Sequence, residues 1–277
     1  MRKTAKKPRN KWTQWFVKII EFILRNYKVE IIPEYQLYKE PMRIDIVVVK
    51  LLEDIVINNP VMEFFKKHNI IEFKGPTDIL SIEAFDRVLS YFYAYLSKNS
   101  INFSDVTITF ISVKKPEKLL DILKNERGYK IISSKNRGIY YIKSSGSTPV
   151  MQLVINSQLS VKDGVWLMNS IRDNWTVQDG AAILKKYEDT QDFDLIREVM
   201  HELCTANINI MEEVEEMTVN ERKARNFLKG WSIKSGWAQT WKQEGRQEGR
   251  QEGVQQLFEF LSSGHSLSEA KKKFAFA

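Results

Sequence analysis

The chain contains only one cysteine, Cys204, among its 277 residues. A single thiol cannot form an intrachain disulfide or a multi-cysteine zinc site, and this indicates a protein of the reducing cytoplasm. Histidine is also scarce, because His68, His201 and His265 stand far apart and show no metal-ligand spacing. Composition therefore argues against disulfide scaffolds and against metal sites built on cysteine or histidine.

Long apolar runs are missing as well. No stretch reaches the roughly 18 apolar residues that a membrane-spanning helix needs. Residues 12–27 are apolar, but Lys18, Glu21 and Arg25 interrupt them, which argues against a secretory signal. Glycine and proline are few, at 12 and 7 residues, while hydrophobic residues make up 43% of the chain. This composition predicts a folded protein with a sizeable core.

Positive charge is concentrated at the start of the chain. The net charge is +7, and residues 1–18 hold seven lysines and arginines and no acid. We expect residues 1–12 to form a basic arm suited to a phosphate backbone or an anionic surface, with a solvated tail as the open alternative. Trp12, Trp15 and Phe16 would also suit a membrane-surface helix. The apolar side of that helix is needed to cover a sheet, however, so we predict no membrane partner.

Hydrophobic periodicity predicts an α/β protein with a mixed sheet. The expected helices cover residues 13–27, 79–97 and 115–125, with a short one over 61–68. The expected strands cover residues 29–37, 43–51, 69–74, 106–113, 129–133 and 138–144. In the strand over 29–37, Pro33 indicates an edge or a bulge. From about residue 160 the pattern becomes helical, with helices over 163–174, 176–187 and 192–205.

The last part of the chain shows two capping boxes and a short repeat. Thr218 with Glu221, and Ser266 with Glu269, have the spacing that opens helices. Between them, residues 244–255 repeat Glu-Gly-x-Gln, which favours a linker or a fraying helix and leaves close helix packing open. We therefore divide the chain into a basic arm (1–12), an α/β domain (13–158), a helical region (159–243) and the repeat with a terminal helix (244–277).

Two apolar strand segments carry charged residues. Residues 43–49 place Asp45 in one strand, and residues 70–75 place Glu72 and Lys74 two positions apart in another. Side chains two apart on a strand share a face, so Glu72 and Lys74 should project together while Phe73 turns into the core. Two carboxylates and an ammonium on buried sheet are costly unless they bind something. A divalent cation beside a phosphate is the natural ligand.

This order of elements, with Glu72-Phe73-Lys74 after Asp45, resembles the PD-(D/E)XK nuclease superfamily. The stretch over residues 75–91 and the Glu-Gly repeat are similar to the branch of recombination-promoting nucleases and PD-(D/E)XK family transposases. The likeness covers residues 13–145 and implies a restriction-endonuclease-like αβββαβ core, so that residues 13–158 form the nuclease-like domain. The proline of the motif name is Ile44 here.

The resemblance implies a magnesium- or manganese-dependent deoxyribonuclease. Asp45, Glu72 and the main-chain carbonyl of Phe73 would bind the metal, and Lys74 would position or activate the attacking water. Glu21, on the first helix, matches the helical glutamate of the superfamily.

Several assignments have competitors. Glu30 and Glu34 compete with Glu21 for the role of the helical glutamate. On the helix over 79–97, Arg87, Tyr91 and Tyr95 share a face at four-residue spacing. Arg87 and Tyr91 are candidates for a substrate phosphate, and ordinary helix packing is the alternative.

Two functions are therefore expected. The first is a metal-dependent DNA endonuclease, and the second is a catalytically silent module that binds nucleic acid or a protein on the same fold. DNA is the expected partner, and a homodimer stays open. Trp231, Trp237 and Trp241 alternate with lysines and suit either base stacking or helix packing.

Overall fold

The computed structural model describes residues 11–36, 43–52, 55–144, 146, 148–161, 164–191, 193–211, 213–214, 227–228 and 230–231. The chain divides into two compact units, Met1–Asn220 and Glu221–Ala277. In the second unit, Leu228 and Trp231 are buried. The capping boxes at Thr218 and Ser266, the Glu-Gly repeat, Trp237 and Trp241 lie outside the described residues.

A seven-stranded mixed sheet forms the centre of the first unit, in the order β1-β2-β3-β4-β7-β6-β5. Its strands are β1 (Val29–Gln36), β2 (Arg43–Lys50), β3 (His68–Lys74), β4 (Val106–Ser112), β5 (Lys130–Ser133), β6 (Ile139–Lys143) and β7 (Val150–Ile155). Neighbours β3, β4 and β7 run parallel, and the remaining neighbours are antiparallel. Pro33 lies in β1, which is an edge strand of the sheet, so the absence of a backbone N–H at this residue is tolerated. The α/β class with a mixed sheet is thus confirmed.

Six α-helices are seen in the described residues. They are α1 (Lys11–Leu24), α2 (Ile82–Asn99), α3 (Glu117–Asp121), α4 (Trp166–Ser170), α5 (Val177–Asp189) and α6 (Arg197–Ala206). A π-helical turn, Ile122–Glu126, directly continues α3, and single 3₁₀ turns occur at Phe103–Asp105, Asn156–Gln158, Phe193–Ile196 and Ile208–Ile210. No described helix has both the length and the apolar character to cross a bilayer.

Helices α1 and α2 cover opposite faces of the sheet. Phe16 of α1 stacks on Phe73 of β3 with ring centroids 4.4 Å apart. Phe85 of α2 stacks on Phe110 of β4 at 5.1 Å. Phe110 is the register partner of Glu72. Because the face of a strand alternates with each residue, Phe73 points to α1 and Glu72 points to α2.

Local sequence explains the two long helices near the sheet. In α1, Phe16, Ile19 and Ile20 are fully buried, as the apolar periodicity predicts. In α2, the Ser81 hydroxyl accepts the Ala84 N–H at 3.3 Å, which is an N-cap. At the other end, Ser100 has a φ of 50° and terminates the helix in the left-handed region.

Two expectations about secondary structure were wrong, and one strand was missed. Residues 61–68 form turns instead of a helix, and β3 begins at His68. The helix expected over 163–174 is shortened to α4, after which the buried Arg172 guanidinium bonds the Asn169 and Asn174 carbonyls. Strand β7 was not expected, yet it lies between β4 and β6. Its neighbour β6 directly precedes it in the chain, whereas its other neighbour, β4, is separated from it by α3, β5 and β6, so local patterns carry little information about that second pairing.

Candidate functional site

The candidate site lies where β2 and β3 separate. The antiparallel pairing of β2 with β3 extends to Ile46 opposite Ile71. One step further, Asp45 would face Glu72, but the Asp45 carboxylate instead accepts the Phe73 N–H at 3.0 Å. A charged side chain thus replaces a ladder bond at the carboxyl end of β3.

Strand β1 is also irregular next to Asp45. The β1–β2 register passes from Pro33 opposite Ile46 to Tyr35 opposite Ile44. The intervening residue, Glu34, has a φ of 50°, a conformation unusual for a residue with a side chain. The backbone is therefore irregular on both sides of the candidate site, as is common where strands turn a side chain towards a site.

Glu72 and Lys74 project together from β3, as predicted. Lys74 Nζ donates to Glu72 Oε1 at 2.6 Å. The side chains are 18% and 9% exposed, respectively, so this ion pair is mostly shielded from water. Phe73, between them, points to the opposite face and is buried against Phe16. The alternation inferred from the sequence is confirmed.

The surroundings of Asp45 change its ionisation. Burial, followed by the nearby charge of Glu72, raises the pKa of Asp45 to about 7, although the Phe73 hydrogen bond and Lys74 act in the opposite direction. For Lys74, burial lowers the pKa, but the charge and hydrogen bond of Glu72 outweigh it, so the net pKa is raised. Lys74 is therefore a cation at neutral pH, suited to holding negative charge and not to accepting a proton.

The donor set fits a magnesium ion. Asp45 and Glu72 supply carboxylates, and Mg²⁺ typically binds one or two carboxylates and completes its shell with water and substrate phosphate. The Phe73 carbonyl points to the same side as its N–H, towards Asp45, because both groups of a strand residue share a direction. Consistently, the Lys74 carbonyl points to the other side, where it accepts the Val113 N–H at 3.2 Å.

A cation would also offset the electrostatic cost of the site, since an ionised Asp45 beside Glu72 is unfavourable. Within the described ranges no group of three or more histidine, cysteine or carboxylate side chains could hold a metal. Water or substrate oxygens would therefore complete the coordination shell.

The structure does not bring Glu21 to this cluster. Glu21 is exposed on α1, and α1 covers the face of the sheet opposite to Glu72. Of the competing acids, Glu30 is exposed, whereas Glu34 is half-buried and stands at the register position beside Asp45. Among the three, Glu34 therefore has the position closest to the site in the sheet.

Helix α2 contributes a tyrosine to the site. Tyr91 is 8% exposed. Its pKa is raised, chiefly by burial, with Arg87 lowering it and Glu72 and Asp45 raising it further. Its hydroxyl therefore lies within electrostatic reach of the acids, and Arg87 is exposed one turn away. Tyr95 instead bonds His68 Nδ1 at 3.0 Å and packs on Tyr35, which is a packing role.

Sequence reasoning missed Asp78. Its carboxylate accepts the Gly75 N–H at 3.3 Å, closing the turn after β3, and its charge raises the pKa of Asp45. The available signal was an acid three residues after Gly75 in the turn that ends β3, a spacing at which the carboxylate can accept the Gly75 N–H. Trp231, one of the alternating tryptophans, is buried and unavailable for base stacking in this structure.

Comparison with known proteins gives no assignment: no family model, curated protein or solved structure matches this chain. The functional conclusion therefore depends on the site itself.

Proposed function

We propose that the chain is a metal-dependent DNA endonuclease that hydrolyses phosphodiester bonds. The observation that carries this proposal is the convergence of Asp45, Glu72 and Lys74 where β2 and β3 separate. The order α1-β1-β2-β3-α2-β4 is the αβββαβ order of the restriction-endonuclease-like core, which supports membership of the PD-(D/E)XK superfamily. We further propose that its role is in transposition or recombination, by resemblance to that branch.

The residues divide the chemistry among them. Asp45, Glu72 and the Phe73 carbonyl would hold Mg²⁺ or Mn²⁺, which polarises the phosphate and makes a bound water more acidic. Lys74, as a cation, orients the attacking water and stabilises charge that develops on the phosphate oxygens. Arg87 and Tyr91 on α2 contact the neighbouring phosphate. Glu21 is exposed on α1, so it contributes to the reaction only if the substrate reaches the α1 side of the sheet.

The test is cleavage of supercoiled plasmid with magnesium or manganese. We expect wild type to nick the plasmid, and Lys74→Ala to lower the rate by about 100-fold or more, the scale of losing one preorganised charge. Lys124→Ala is the matched control, because Lys124 is exposed on the π-helical turn. An intact plasmid in every metal, or equal rates for wild type and Lys74→Ala, would refute the proposal.

A second candidate function is DNA binding without hydrolysis. Glu72, a candidate metal ligand, already has a cationic partner in its short ion pair with Lys74, and this supports the second function. Deleting residues 1–10 should then weaken DNA binding and make its salt dependence shallower. Binding with no cleavage by wild type would favour this second function.

A further inference from the structure

A pocket of about 400 Å³ opens beside the proposed active site, between the start of α2 and α3. Its wall is mostly aliphatic and is formed by Ile79, Leu80, Ile82, Pro116, Leu119 and Ile122. This volume lies within the range of small-molecule sites, so it is large enough for one nucleoside. Ile79 is 79% exposed, which is unusual for so apolar a residue at a pocket.

The pocket is adjacent to the Asp45 site. Ser112, at the end of β4, lines the pocket and is the register partner of Lys74. Neighbouring strands are about 5 Å apart, so a molecule bound in the pocket would lie next to Lys74. Asp78 lines the pocket as well, and its charge acts on Asp45 and Lys74.

The rim of the pocket carries exposed lysines. Lys115 pairs with Glu117 at 2.7 Å. Lys114 and Lys118 also line the pocket, are exposed, and have no carboxylate partner in the part of the chain that the structure describes. Glu83 and Glu117 also line the pocket, and Glu117 is the partner of Lys115. The aliphatic wall and the ammonium groups of Lys114 and Lys118 match a nucleotide, which has an apolar base face and an anionic phosphate.

We propose that this pocket takes one unpaired nucleotide of a DNA strand whose adjacent phosphodiester lies at Asp45, Glu72 and Lys74. This inference rests on the nuclease function proposed above. The base leaves its stack and buries a face on the aliphatic wall, while Lys114 and Lys118 contact flanking phosphates. Because a mismatched or single-stranded base costs least to extrude, the substrate class is DNA with an unpaired position beside the cut.

Fluorescence anisotropy with labelled oligonucleotides tests this inference. The full chain carrying Asp45→Asn is used throughout, so that bound DNA stays intact. We expect a duplex with one internal mismatch to bind at least about fivefold tighter than its fully paired counterpart, since extrusion of a mismatched base is easier. Ile79→Glu should remove this preference, because it places a charge at the mouth of the pocket.

Matched controls separate a pocket effect from a general one. Val56→Glu makes the same change at a residue that is 83% exposed and does not line the pocket, and it should keep the preference. Lys114→Gln with Lys118→Gln should make the salt dependence shallower by about 1.4 to 1.8 in log–log slope, since each phosphate contact contributes about 0.7 to 0.9. Lys124→Gln with Lys130→Gln removes the same charge elsewhere and should change the slope less.

The outcomes are distinguishable from failure of the nuclease proposal. A mismatch preference that survives Ile79→Glu, the absence of any preference, or the absence of DNA binding would overturn the nucleotide pocket. Plasmid cleavage by wild type is measured separately. If wild type cleaves while Ile79→Glu keeps the preference, the pocket inference fails and the nuclease function stands. If Ile79→Glu loses the preference but wild type does not cleave, the pocket inference stands and the nuclease function fails.

Discussion

Replacing Asp45 by asparagine should stabilise the fold, and the effect should depend on pH. Asparagine keeps a side-chain oxygen that can accept the Phe73 N–H, now at 3.0 Å from the carboxylate. It removes the charge that burial and Glu72 make unfavourable. Its amide N–H groups can donate to the Glu72 carboxylate, so the substitution leaves no obvious polar group without a partner.

The magnitude follows from the ionisation of Asp45. Its pKa is about 7 in the fold against an ordinary value of 3.8. This difference corresponds to about 4 kcal/mol of unfolding free energy, at roughly 1.4 kcal/mol for each pH unit. Because the carboxylate is half-buried and can relax towards water, we expect about 2 kcal/mol at pH 8.

The sign follows from proton binding. Between pH 4 and 7 the folded wild type keeps the proton on Asp45, whereas the unfolded chain loses it. Wild-type stability therefore falls as pH rises through this window, and above about pH 7 the full cost remains. The advantage of Asp45→Asn should be small at pH 5 and largest at pH 8.

Urea unfolding at pH 5 and pH 8, in EDTA, measures this difference. Glu126→Gln is the matched control, since Glu126 is an exposed acid on the π-helical turn, and it should change stability by no more than about 0.5 kcal/mol. The electrostatic reasoning would be refuted if Asp45→Asn destabilised the protein at pH 8, or if its effect were equal at the two pH values.

Three further outcomes are expected. Magnesium affinity, measured by calorimetry, should rise with pH up to about 7 and be accompanied by proton release, because Asp45 must ionise to bind a metal; a pH-independent affinity would contradict this. Phe73→Ala should destabilise the fold by about 3–5 kcal/mol through loss of packing on Phe16, measured by denaturant unfolding, and a loss below about 1 kcal/mol would show that this contact is unimportant. Gly138→Ala should cost about 1–3 kcal/mol, since Gly138 has a φ of 84° and an added Cβ would lie 2.9 Å from backbone; Gly146→Ala, where no atom lies within 4 Å, should have little effect.

Local sequence patterns were sufficient to predict much of the α/β half. The alternation over residues 43–49 and 70–74 predicted strands, and it placed Glu72 and Lys74 on one face because side-chain direction on a strand has a period of two. The amphipathic stripe of α1 predicted the buried side that packs on Phe73. These features are set by residues close in sequence, which is why they could be read without coordinates.

Long-range packing decided the remaining features. Strand β7 follows β6 directly in the chain, but its parallel pairing with β4 joins strands that are separated by α3, β5 and β6, and no local signal specifies such a partner. The raised pKa of Asp45 and the contribution of Asp78 arise from desolvation and from charges brought together by the fold. Glu21 shows the same dependence, because the helical pattern predicted its element, while the packing of α1 on the opposite face left its side chain exposed.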